Sequence, residues 1–378
     1  MEIDHLIGVN ARFLTKPFTG VGQHTKNLLI ALGRLDHKNK YILAVHEKVD
    51  KNIFKLLPKN MKIKIIPEKK FGSKGFGKTF WEQFSLPKFF IKENADVAFF
   101  PYPSNPWANS WHKKGIKTIV TVHDTVPWEN KKYTKGVLSK MYHAQSKKAV
   151  LKADKIIAVS EVSKNDIAKA CGVNKNKITV IYNDAGDAYK KRLSGKFIDG
   201  VLKKFKLDDR RFFLYVGGYD ERKNVGTLVE EYRKFSRDYA KISKEKIPLV
   251  MVGNKLFDTK LYKSFDEKSV GDYGEIIKTG FLDEKILAVL YGSCVAFLSL
   301  SEKEGFNIPI VEAANCGAPL ILSDILIHKE IAKNNAVYVN AAKKGETAKA
   351  MFKILNIGAL MRKKSLELAK NYSWAGAA

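Results

Sequence analysis

Two glutamates in the segment EKEGFNIPIVEA, Glu304 and Glu312, have seven residues between them, among them a Gly-Phe-Asn turn. The preceding VAFLSLS is typical of a buried strand, and Pro309 favours a helix start, because proline lacks an N–H that the first turn leaves unpaired anyway. Such a start presents free N–H groups and a positive dipole end to an anion. A carboxylate accepts two hydroxyl hydrogens at once, which suits sugar rings. The segment predicts a site for a phosphate flanked by sugars, with Glu304 in the loop and Glu312 in the first helical turn.

Two cations, Arg222 and Lys223, follow the predicted strand FFLYVGG in the same half of the chain. If both loops lie at one edge of a parallel sheet, these cations reach the anion beside Glu304 and neutralise a leaving diphosphate. Each feature has an ordinary alternative: Glu312 as a helix-start carboxylate, Glu304 as a solvated loop residue, and the cations as a solvated pair. Their combination favours a binding site.

The elements that must position these residues alternate between short apolar strands and helices. Strands are predicted in the N-terminal half at HLIGVNARFL, YILAVHE, KIKIIP, DVAFFP, KTIVTVHDTVP, DKIIAVS and ITVIYND, and further on at RFFLYVGG, PLVMVGN, IIKTG, VAFLSLS, APLILSD and NAVYVN. Buried strands that end in polar residues and lead into helices indicate parallel sheets. The chain therefore predicts an α/β fold of two Rossmann-like, doubly wound domains that face each other across a cleft.

Length and composition agree with two domains, because 378 residues of which 45% are apolar exceed one ordinary core. The strand pattern lapses in the charged stretch DAYKKRLSGKFIDGVLKKFKLDDR, which predicts a linker. We place the domains at residues 1–190 and 191–360, and a C-terminal helix that returns towards the first domain at residues 361–378.

The net charge and the cysteines indicate which partners and which cellular compartment to expect. A formal net charge of +28 attracts polyanions of any kind. Cys171, Cys294 and Cys316 match neither a disulfide framework nor a CxxC metal pair, so we expect buried thiols in a reducing compartment. The acidic N-terminus does not resemble a signal peptide, and no apolar run approaches the roughly 18 to 20 residues of a membrane span. We therefore expect a cytoplasmic protein.

The chain resembles the family-4 glycosyltransferases of GT-B fold, above all the mannosyl- and rhamnosyltransferase-like members that build surface polysaccharides. The resemblance runs from about residue 7 to Trp374 and is carried by TGVGQHTKNLL, VTVHDTVP, DKIIAVSEVSKNDI, GGYDERKNVGTLVEEY, GFLDEKILAVLYGSCVAFLSLSEKEGFNIPIVEAANCGAPLILSD and YSW. It implies retaining transfer of a hexose from a nucleoside diphosphate sugar, without a metal or a separate cofactor. The first domain would bind the acceptor and the second the nucleotide sugar.

The same resemblance implies roles for individual residues. Arg222 and Lys223 would hold the diphosphate, Glu304 would bond the transferred hexose, and Glu312 would take the ribose hydroxyls. Three further contacts are implied: the backbone of Gly305, Phe306 and Asn307 at the sugar and phosphate, the loop glycines Gly20 and Gly22 on the other side of the phosphates, and the stretch around Phe281 and Leu282 at the nucleobase.

His123, in TVHDTVP, would support catalysis by hydrogen-bonding the donor sugar; the alternative is a core histidine satisfied by the backbone. Its neighbour Asp124 could be the base of an inverting mechanism, which a retaining reaction does not need. No Asp-x-Asp pair, the usual mark of a divalent-metal glycosyltransferase, occurs in the sequence. We therefore predict a metal-free site in which fixed cations and the helix start meet the developing charge.

The segment KNMKIKIIPEKKFGSKGFGKTFWEQFSLPKFF mixes lysines with aromatics, which suits an anionic bilayer surface if the aromatics are exposed. We predict peripheral attachment to the inner face of the cell membrane and a glycan or lipid-linked acceptor; the alternative is a well-solvated loop. The residues concerned are Lys59, Lys62, Lys64, Lys69, Lys70, Lys74 and Lys78, with Phe71, Phe76, Phe80, Trp81 and Phe84.

Other functions and donors stay open at this point. The basic composition also suits a nucleic-acid-binding protein, but no recognisable module for it occurs, so no nucleic acid partner is expected. A dinucleotide-dependent oxidoreductase would need G-x-G-x-x-G spacing with an acidic residue further on, which neither glycine loop has. By resemblance we favour GDP-mannose as donor, with a UDP- or dTDP-sugar as the alternative.

Overall fold

The structure is a computed structural model that describes residues 4–69, 76–106, 111, 114–129, 136–208, 211–253 and 273–378. The chain forms two compact units. The first unit comprises Met1–Asn183 together with Trp374–Ala378, and the second unit comprises Asp184–Ser373. The division falls after Asn183, whereas the sequence placed it after residue 190.

The first unit is built on a seven-stranded sheet in which every pairing is parallel. The strand order is β3-β2-β1-β4-β5-β6-β7, so it reverses between β1 and β4. The strands are β1 (Leu6–Asn10), β2 (Lys40–Val45), β3 (Met61–Ile65), β4 (Val97–Phe100), β5 (Lys117–Val122), β6 (Lys155–Ala158) and β7 (Ile178–Val180).

The second unit repeats this plan with a six-stranded parallel sheet of order β10-β9-β8-β11-β12-β13. The order reverses between β8 and β11, which pair directly. The strands are β8 (Phe213–Val216), β9 (Leu249–Val252), β10 (Ile276–Gly280), β11 (Ala296–Ser299), β12 (Leu320–Ser323) and β13 (Val337–Val339). The expectation of two doubly wound parallel sheets is confirmed.

Helices connect most of these strands. In the first unit they are α1 (Gly20–Leu35), α2 (Lys51–Phe54), α3 (Phe76–Phe80), α4 (Leu86–Lys92), α5 (Val126–Glu129), α6 (Val137–Lys152) and α7 (Glu161–Cys171), with a π-helical turn at Trp81–Ser85 and 3₁₀ turns at Arg12–Thr15 and Lys175–Lys177. In the second unit they are α8 (Asp187–Lys190), α9 (Gly195–Lys204), α10 (Val225–Tyr239), α11 (Glu284–Ser293), α12 (Ile308–Asn315), α13 (Leu326–Ala332) and α14 (Glu346–Ala369), with a 3₁₀ turn at Glu221–Lys223. The last helix, α15 (Trp374–Ala377), belongs to the first unit.

Local sequence explains where several of these helices begin. Thr19 accepts a hydrogen bond from the N–H of Gly22 and so caps α1. The charged stretch that the sequence assigned to a linker contains α8 and α9, and Ser194 caps α9 by accepting from the N–H of Phe197. The long helix α14 starts where buried Glu231 accepts the N–H groups of Gly345 and Ala348.

The C-terminal segment also differs from its predicted bounds. The sequence assigned residues 361–378 to one returning helix, but α14 spans Glu346–Ala369 and packs in the core of the second unit. The segment that joins the first unit is therefore Trp374–Ala378, and Trp374 packs in the same cluster as Leu28 and Leu29 of α1.

Candidate functional site

Two loops of the second unit meet where the strand order of its sheet reverses. β8 leads into the 3₁₀ turn Glu221–Lys223, and the neighbouring β11 leads into the loop that ends at Asn307. In doubly wound sheets this reversal is where ligands bind, because the connections from the two strands leave towards opposite faces and open a crevice at the carboxyl edge. The structure thus brings the predicted cations and the predicted glutamate loop together.

Arg222 and Lys223 both form ion pairs with Glu304. The Nη1 atom of Arg222 lies 2.8 Å from Oε2 of Glu304, and the Nζ atom of Lys223 lies 2.5 Å from Oε1. The same Nη1 donates to the carbonyl oxygen of Lys303 at 3.2 Å, and the N–H of Glu302 donates to the carbonyl oxygen of Arg222 at 2.8 Å. These side-chain and main-chain bonds hold the two loops against each other.

The carboxylate of Glu304 is buried, with 7% of the residue exposed. Burial by itself would raise its pKa, but the charges of Lys223 and Arg222, with hydrogen bonds from Lys223 and Ser301, lower the pKa to about 2. Glu304 is therefore ionised at neutral pH. An ammonium group has three N–H donors and a guanidinium has five, so both cations can contact a phosphate and still hold Glu304.

The loop from Glu304 ends at a helix start, as the sequence predicted. Asn307 precedes α12 with φ 73° and ψ 67°, a left-handed conformation that asparagine adopts more readily than most residues. The backbone of Gly305, Phe306 and Asn307 therefore lies between the ion-paired carboxylate and the first turn of α12. Its surroundings are apolar on one side, where Phe306 packs edge-on against Tyr372 with ring centroids 5.8 Å apart.

Glu312 lies deeper in α12 than predicted. Because the helix begins at Ile308, Glu312 is not in the first turn, and the placement made from the sequence is wrong. The residue is 6% exposed, and the hydroxyl of Tyr291 lies 3.2 Å from its Oε2 atom. Tyr189 also hydrogen-bonds this carboxylate. Two buried tyrosines thus fix the orientation of Glu312.

These tyrosines are donors to Glu312 under all ordinary conditions. Burial, and next the negative charge of Glu312, raise the pKa of Tyr189 and of Tyr291 well above the usual value. Their rings also pack edge-on, with centroids 6.0 Å apart. The sequence analysis missed both residues. A buried carboxylate requires donors, but nothing in the sequence says which of the tyrosines supply them.

Phe281 and Leu282 lie just beyond β10, at the same carboxyl edge of the second sheet. Phe281 is 52% exposed and Leu282 is partly buried. Asp283 then caps α11 by accepting the N–H of Lys285 at 2.9 Å. An exposed aromatic ring held between a strand and a capped helix is a suitable surface for stacking a flat base.

Gly20 and Gly22 lie in the first unit, but not in a loop. They are the first and third residues of α1, which corrects the placement made from the sequence. A Cβ atom on Gly22 would lie 2.2 Å from the carbonyl oxygen of Lys16, whereas a Cβ on Gly20 would meet nothing within 4 Å. Gly22 is therefore required by the close approach of residues 16 and 17 to the helix start.

His123 follows β5 in the first unit and is partly buried. Its Nε2 atom lies 2.8 Å from the carbonyl oxygen of Pro101, so Nε2 carries the proton of that bond. Burial lowers the pKa of His123, which leaves the ring neutral and its Nδ1 atom an acceptor. The bond to Pro101 is the backbone contact that the alternative interpretation expects, and the catalytic role stays a prediction.

A second histidine, His24, packs edge-on against His123 with ring centroids 4.7 Å apart, and sequence reasoning missed it. Its Nδ1 atom lies 2.7 Å from Oδ1 of Asn183, and burial lowers its pKa to about 3. The Nε2 atom of His24 has no hydrogen-bond partner among the described residues. The position in α1 shows only helical spacing in the sequence, which gives no sign of this contact.

The predicted membrane segment is only partly exposed. Phe76 and Phe84 are 49% and 60% exposed, but Trp81 is fully buried and donates to the carbonyl oxygen of Ile66, so its assignment to an exposed surface is wrong. Lys78 is also drawn inwards, where its Nζ atom bonds the hydroxyl of Tyr142 at 2.8 Å. The structure leaves four of the predicted lysines exposed: Lys59, Lys62, Lys64 and Lys69. Three further positions, Lys70, Phe71 and Lys74, lie outside the described residues.

Comparison with known families matches both halves of the chain. The family model described as Glycosyltransferase Family 4 matches residues 18–183. The model described as Glycosyl transferases group 1 matches residues 201–372. The first match lies within the first unit, and the second covers the loops that carry the cations and both glutamates.

Individual relatives agree with these matches. The chain is 29% identical over 225 residues to the O-antigen chain mannosyltransferase RfbU of Salmonella typhimurium, covering 58% of this chain and 56% of the relative. It is 25% identical over 219 residues to the O-antigen chain mannosyltransferase B of Escherichia coli, covering 57% and 55%. The chain thus spans little more than half the length of these curated relatives.

Solved structures agree on the fold. The structure of Anabaena HepE in complex with UDP and glucose superposes with a TM-score of 0.71 over 98% of this chain and 94% of that one. The two sequences are 13% identical, so the likeness establishes the shared fold.

Proposed function

Because this chain belongs to the family-4 glycosyltransferases, we propose that it transfers a hexose from a nucleoside diphosphate sugar to a glycan or lipid-linked acceptor in surface polysaccharide synthesis. The donor that the proposal favours is GDP-mannose, since the curated relatives are named O-antigen chain mannosyltransferases. UDP- and dTDP-sugars are the alternative donors, and the acceptor is a glycan or a lipid-linked sugar.

One observation carries the proposal: Arg222 and Lys223 converge on the buried, ionised Glu304 beside the start of α12. The diphosphate of the donor would bind the remaining donors of the two cations and the N–H groups of the helix start. Glu304 would accept hydroxyl hydrogens of the hexose, and Glu312, held by its tyrosines, those of the ribose.

We propose that the transfer is retaining and needs no metal. As the bond between the anomeric carbon and the phosphate oxygen breaks, negative charge grows on the diphosphate, where fixed cations stabilise it. The departing phosphate oxygen takes the proton of the acceptor hydroxyl on the same face, while that hydroxyl oxygen forms the new glycosidic bond. This route needs no separate protein base, and the expected activity survives removal of divalent metals with EDTA.

Binding of nucleoside diphosphates tests the function directly. Purified protein is melted with GDP, UDP or dTDP, and a ligand present at 100 times its Kd stabilises a folded protein by about 2.7 kcal/mol. We expect the largest shift with GDP. The function is contradicted if none of the three shifts the melting temperature. Saturable binding of a defined RNA or DNA would then favour the nucleic-acid alternative.

Loss of one cation tests the site itself. In Lys223→Ala, we expect kcat to fall by about 10²–10³-fold, as when other fixed donors to a developing anion are removed. Lys241→Ala is the matched control, because Lys241 pairs with Asp238 at an exposed position of the same unit. Equal activities of the two variants would contradict the assignment of Lys223 to the site.

The proposal includes contact with an anionic membrane surface. No helix among the described residues has the length and apolarity needed to cross a bilayer. The exposed rings of Phe76 and Phe84 and the lysines of edge strand β3 support surface contact, although edge lysines also prevent strands from pairing with other chains. Sedimentation with anionic vesicles should fall in Phe84→Ser and not in Phe54→Ser, whose side chain is equally exposed but precedes the predicted segment in the sequence. Equal sedimentation with neutral and with anionic vesicles would contradict the proposed membrane contact.

A further inference from the structure

His328 of α13 contacts Asn307, the last residue of the loop before α12, and is not among the residues that would bind the donor. It is fully buried, as is expected of a histidine in a helix that packs on a sheet, but its ring is surrounded by polar groups. Its Nε2 atom lies 2.9 Å from Nδ2 of Asn307. Its Nδ1 atom lies 3.0 Å from the hydroxyl oxygen of Ser323 and 3.1 Å from the carbonyl oxygen of the same residue.

The contacts of the two ring nitrogens determine which nitrogen of His328 carries the proton. The single hydroxyl hydrogen of Ser323 goes to the carbonyl oxygen of Ser301, and a carbonyl oxygen can only accept, so Nδ1 of His328 donates to Ser323. Burial lowers the pKa of His328 to about 4, and the neutral ring has a single N–H. Nε2 is therefore an acceptor, and it receives a hydrogen from the side-chain amide of Asn307. Both bonds are satisfied by one tautomer.

Asn307 is held from a second direction as well. Its Nδ2 atom donates to the hydroxyl of Ser299, at the end of β11, at 2.9 Å. The hydroxyl of Ser323, at the end of β12, donates to the carbonyl oxygen of Ser301 at 2.6 Å. The end of β11 and one residue of α13 thus hold the amide of Asn307, and the end of β12 holds His328 in turn. The amide is fixed by groups that do not belong to its own loop.

The backbone of Asn307 needs this support. It is left-handed, with φ 73°, a conformation that asparagine adopts at some cost and that determines the direction in which α12 leaves the loop. The same loop contains Glu304, whose negative charge raises the pKa of His328 and so partly opposes the effect of burial. A change in Asn307 would therefore displace both the carboxylate and the N–H groups at the helix start.

We propose that His328 is a positioning residue for donor binding, and that it acts through Asn307 by holding the loop Glu304–Asn307 in its binding conformation. This inference rests on the proposed function, since it assigns a task within the same site. His328 itself would touch neither the diphosphate nor the sugar.

A double-mutant cycle on donor binding tests the proposal. The variants are His328→Leu, Asn307→Gly and the double variant, and the probe is whichever of GDP, UDP and dTDP gives the wild type its largest thermal shift. We expect each single variant to weaken binding by about tenfold, as for loss of one buried hydrogen bond. The double variant should bind no more than about threefold more weakly than either, because both changes break one linkage.

Two further variants separate positioning from general destabilisation. His328→Gln keeps an acceptor for the amide of Asn307 and should recover most of the affinity, including in the event that His328→Leu fails to fold. Ser365→Ala removes a buried hydrogen bond to the carbonyl oxygen of Ala318 in the same unit, and should lower the melting temperature without changing nucleotide affinity.

The outcomes are distinct. If the wild type binds none of the three nucleotides, the proposed function fails. If the wild type binds and the losses in the two single variants add in the double variant, or if His328→Leu only lowers the melting temperature, the role of His328 is refuted and the function stands.

Discussion

Glu304 is ionised in a buried position because two cations surround it. Removing a carboxylate from water costs several kcal/mol, which opposite charges offset only when the geometry is good and hydrogen bonds are complete. Here the gain for function is that the side chains of Arg222 and Lys223 are already partly removed from water and held in place before any ligand binds. Preorganised charges of this kind do not have to reorient as the leaving group departs.

The lowered pKa of Glu304 predicts a dependence of stability on pH. Its pKa falls from an ordinary value of 4.5 to about 2 in the folded chain, so its contribution is complete above about pH 4.5 and is lost as the pH falls from there towards 2. The free energy of unfolding of the wild type should therefore exceed that of Glu304→Gln by a margin that shrinks by about 2 kcal/mol between pH 7 and pH 3. Urea titrations of both proteins measure it, and a constant margin would contradict the assignment.

The tyrosine pair predicts a change in binding rather than in turnover. Tyr291→Phe removes one donor from the carboxylate of Glu312, which would leave that carboxylate less well oriented for the ribose. KM for the donor should rise about five- to tenfold, the effect of one hydrogen bond, with kcat within about twofold. The control is Tyr232→Phe, which loses a buried hydroxyl bonded to the carbonyl oxygen of Glu275 at 2.8 Å. A similar rise in KM for the control would point to a general packing effect.

Residues of the site differ in how far the sequence could predict them. Arg222, Lys223 and Glu304 each follow a recognisable strand, and parallel strands bring their carboxyl ends to one edge, so their meeting is predictable. Tyr291 and His328 lie inside helices whose spacing indicates only burial. Which atoms they face depends on packing between elements that are distant in sequence.

At the level of elements, the two glycines of α1 predict opposite outcomes. Gly22→Ala would bring a Cβ atom to 2.2 Å from the carbonyl oxygen of Lys16, so the helix start must move, at a cost of about 1–3 kcal/mol. Gly20→Ala meets open space and should leave the melting temperature unchanged or slightly raised. Thermal melts compare them, and equal effects would show that close packing at residue 16 is not the reason for Gly22.

The strands were the most predictable elements, because continuous apolar runs bounded by polar residues leave little choice in a parallel sheet. The residues at which helices and loops begin and end were less predictable. The loop after β1 is shorter than the glycines suggested, since Thr19 already caps α1. The side-chain partners of Trp81 were not readable either, because aromatic residues among lysines suit a buried face and an exposed one equally well, and only the fold places its ring inside.

At the level of the whole molecule, the first unit depends on a residue from the other end of the sequence. Trp374 is 7% exposed, and its ring lies 5.9 Å from that of His24 in α1. Trp374→Ala should therefore destabilise the first unit by about 3–5 kcal/mol. Hydrogen exchange should accelerate in α1 and not in β11 or β12, and Leu360→Ala, at an exposed position of α14, should accelerate neither. Uniform acceleration in both units would contradict this division.

The position of Trp374 also affects the order of events during synthesis. A ribosome delivers residues 184–373 after the strands of the first sheet and before the tryptophan that packs in the same cluster as Leu28 and Leu29. The nascent first unit therefore lacks one buried side chain of this cluster while the second unit is being translated. The half of the chain that is made first thus gains its full stability last.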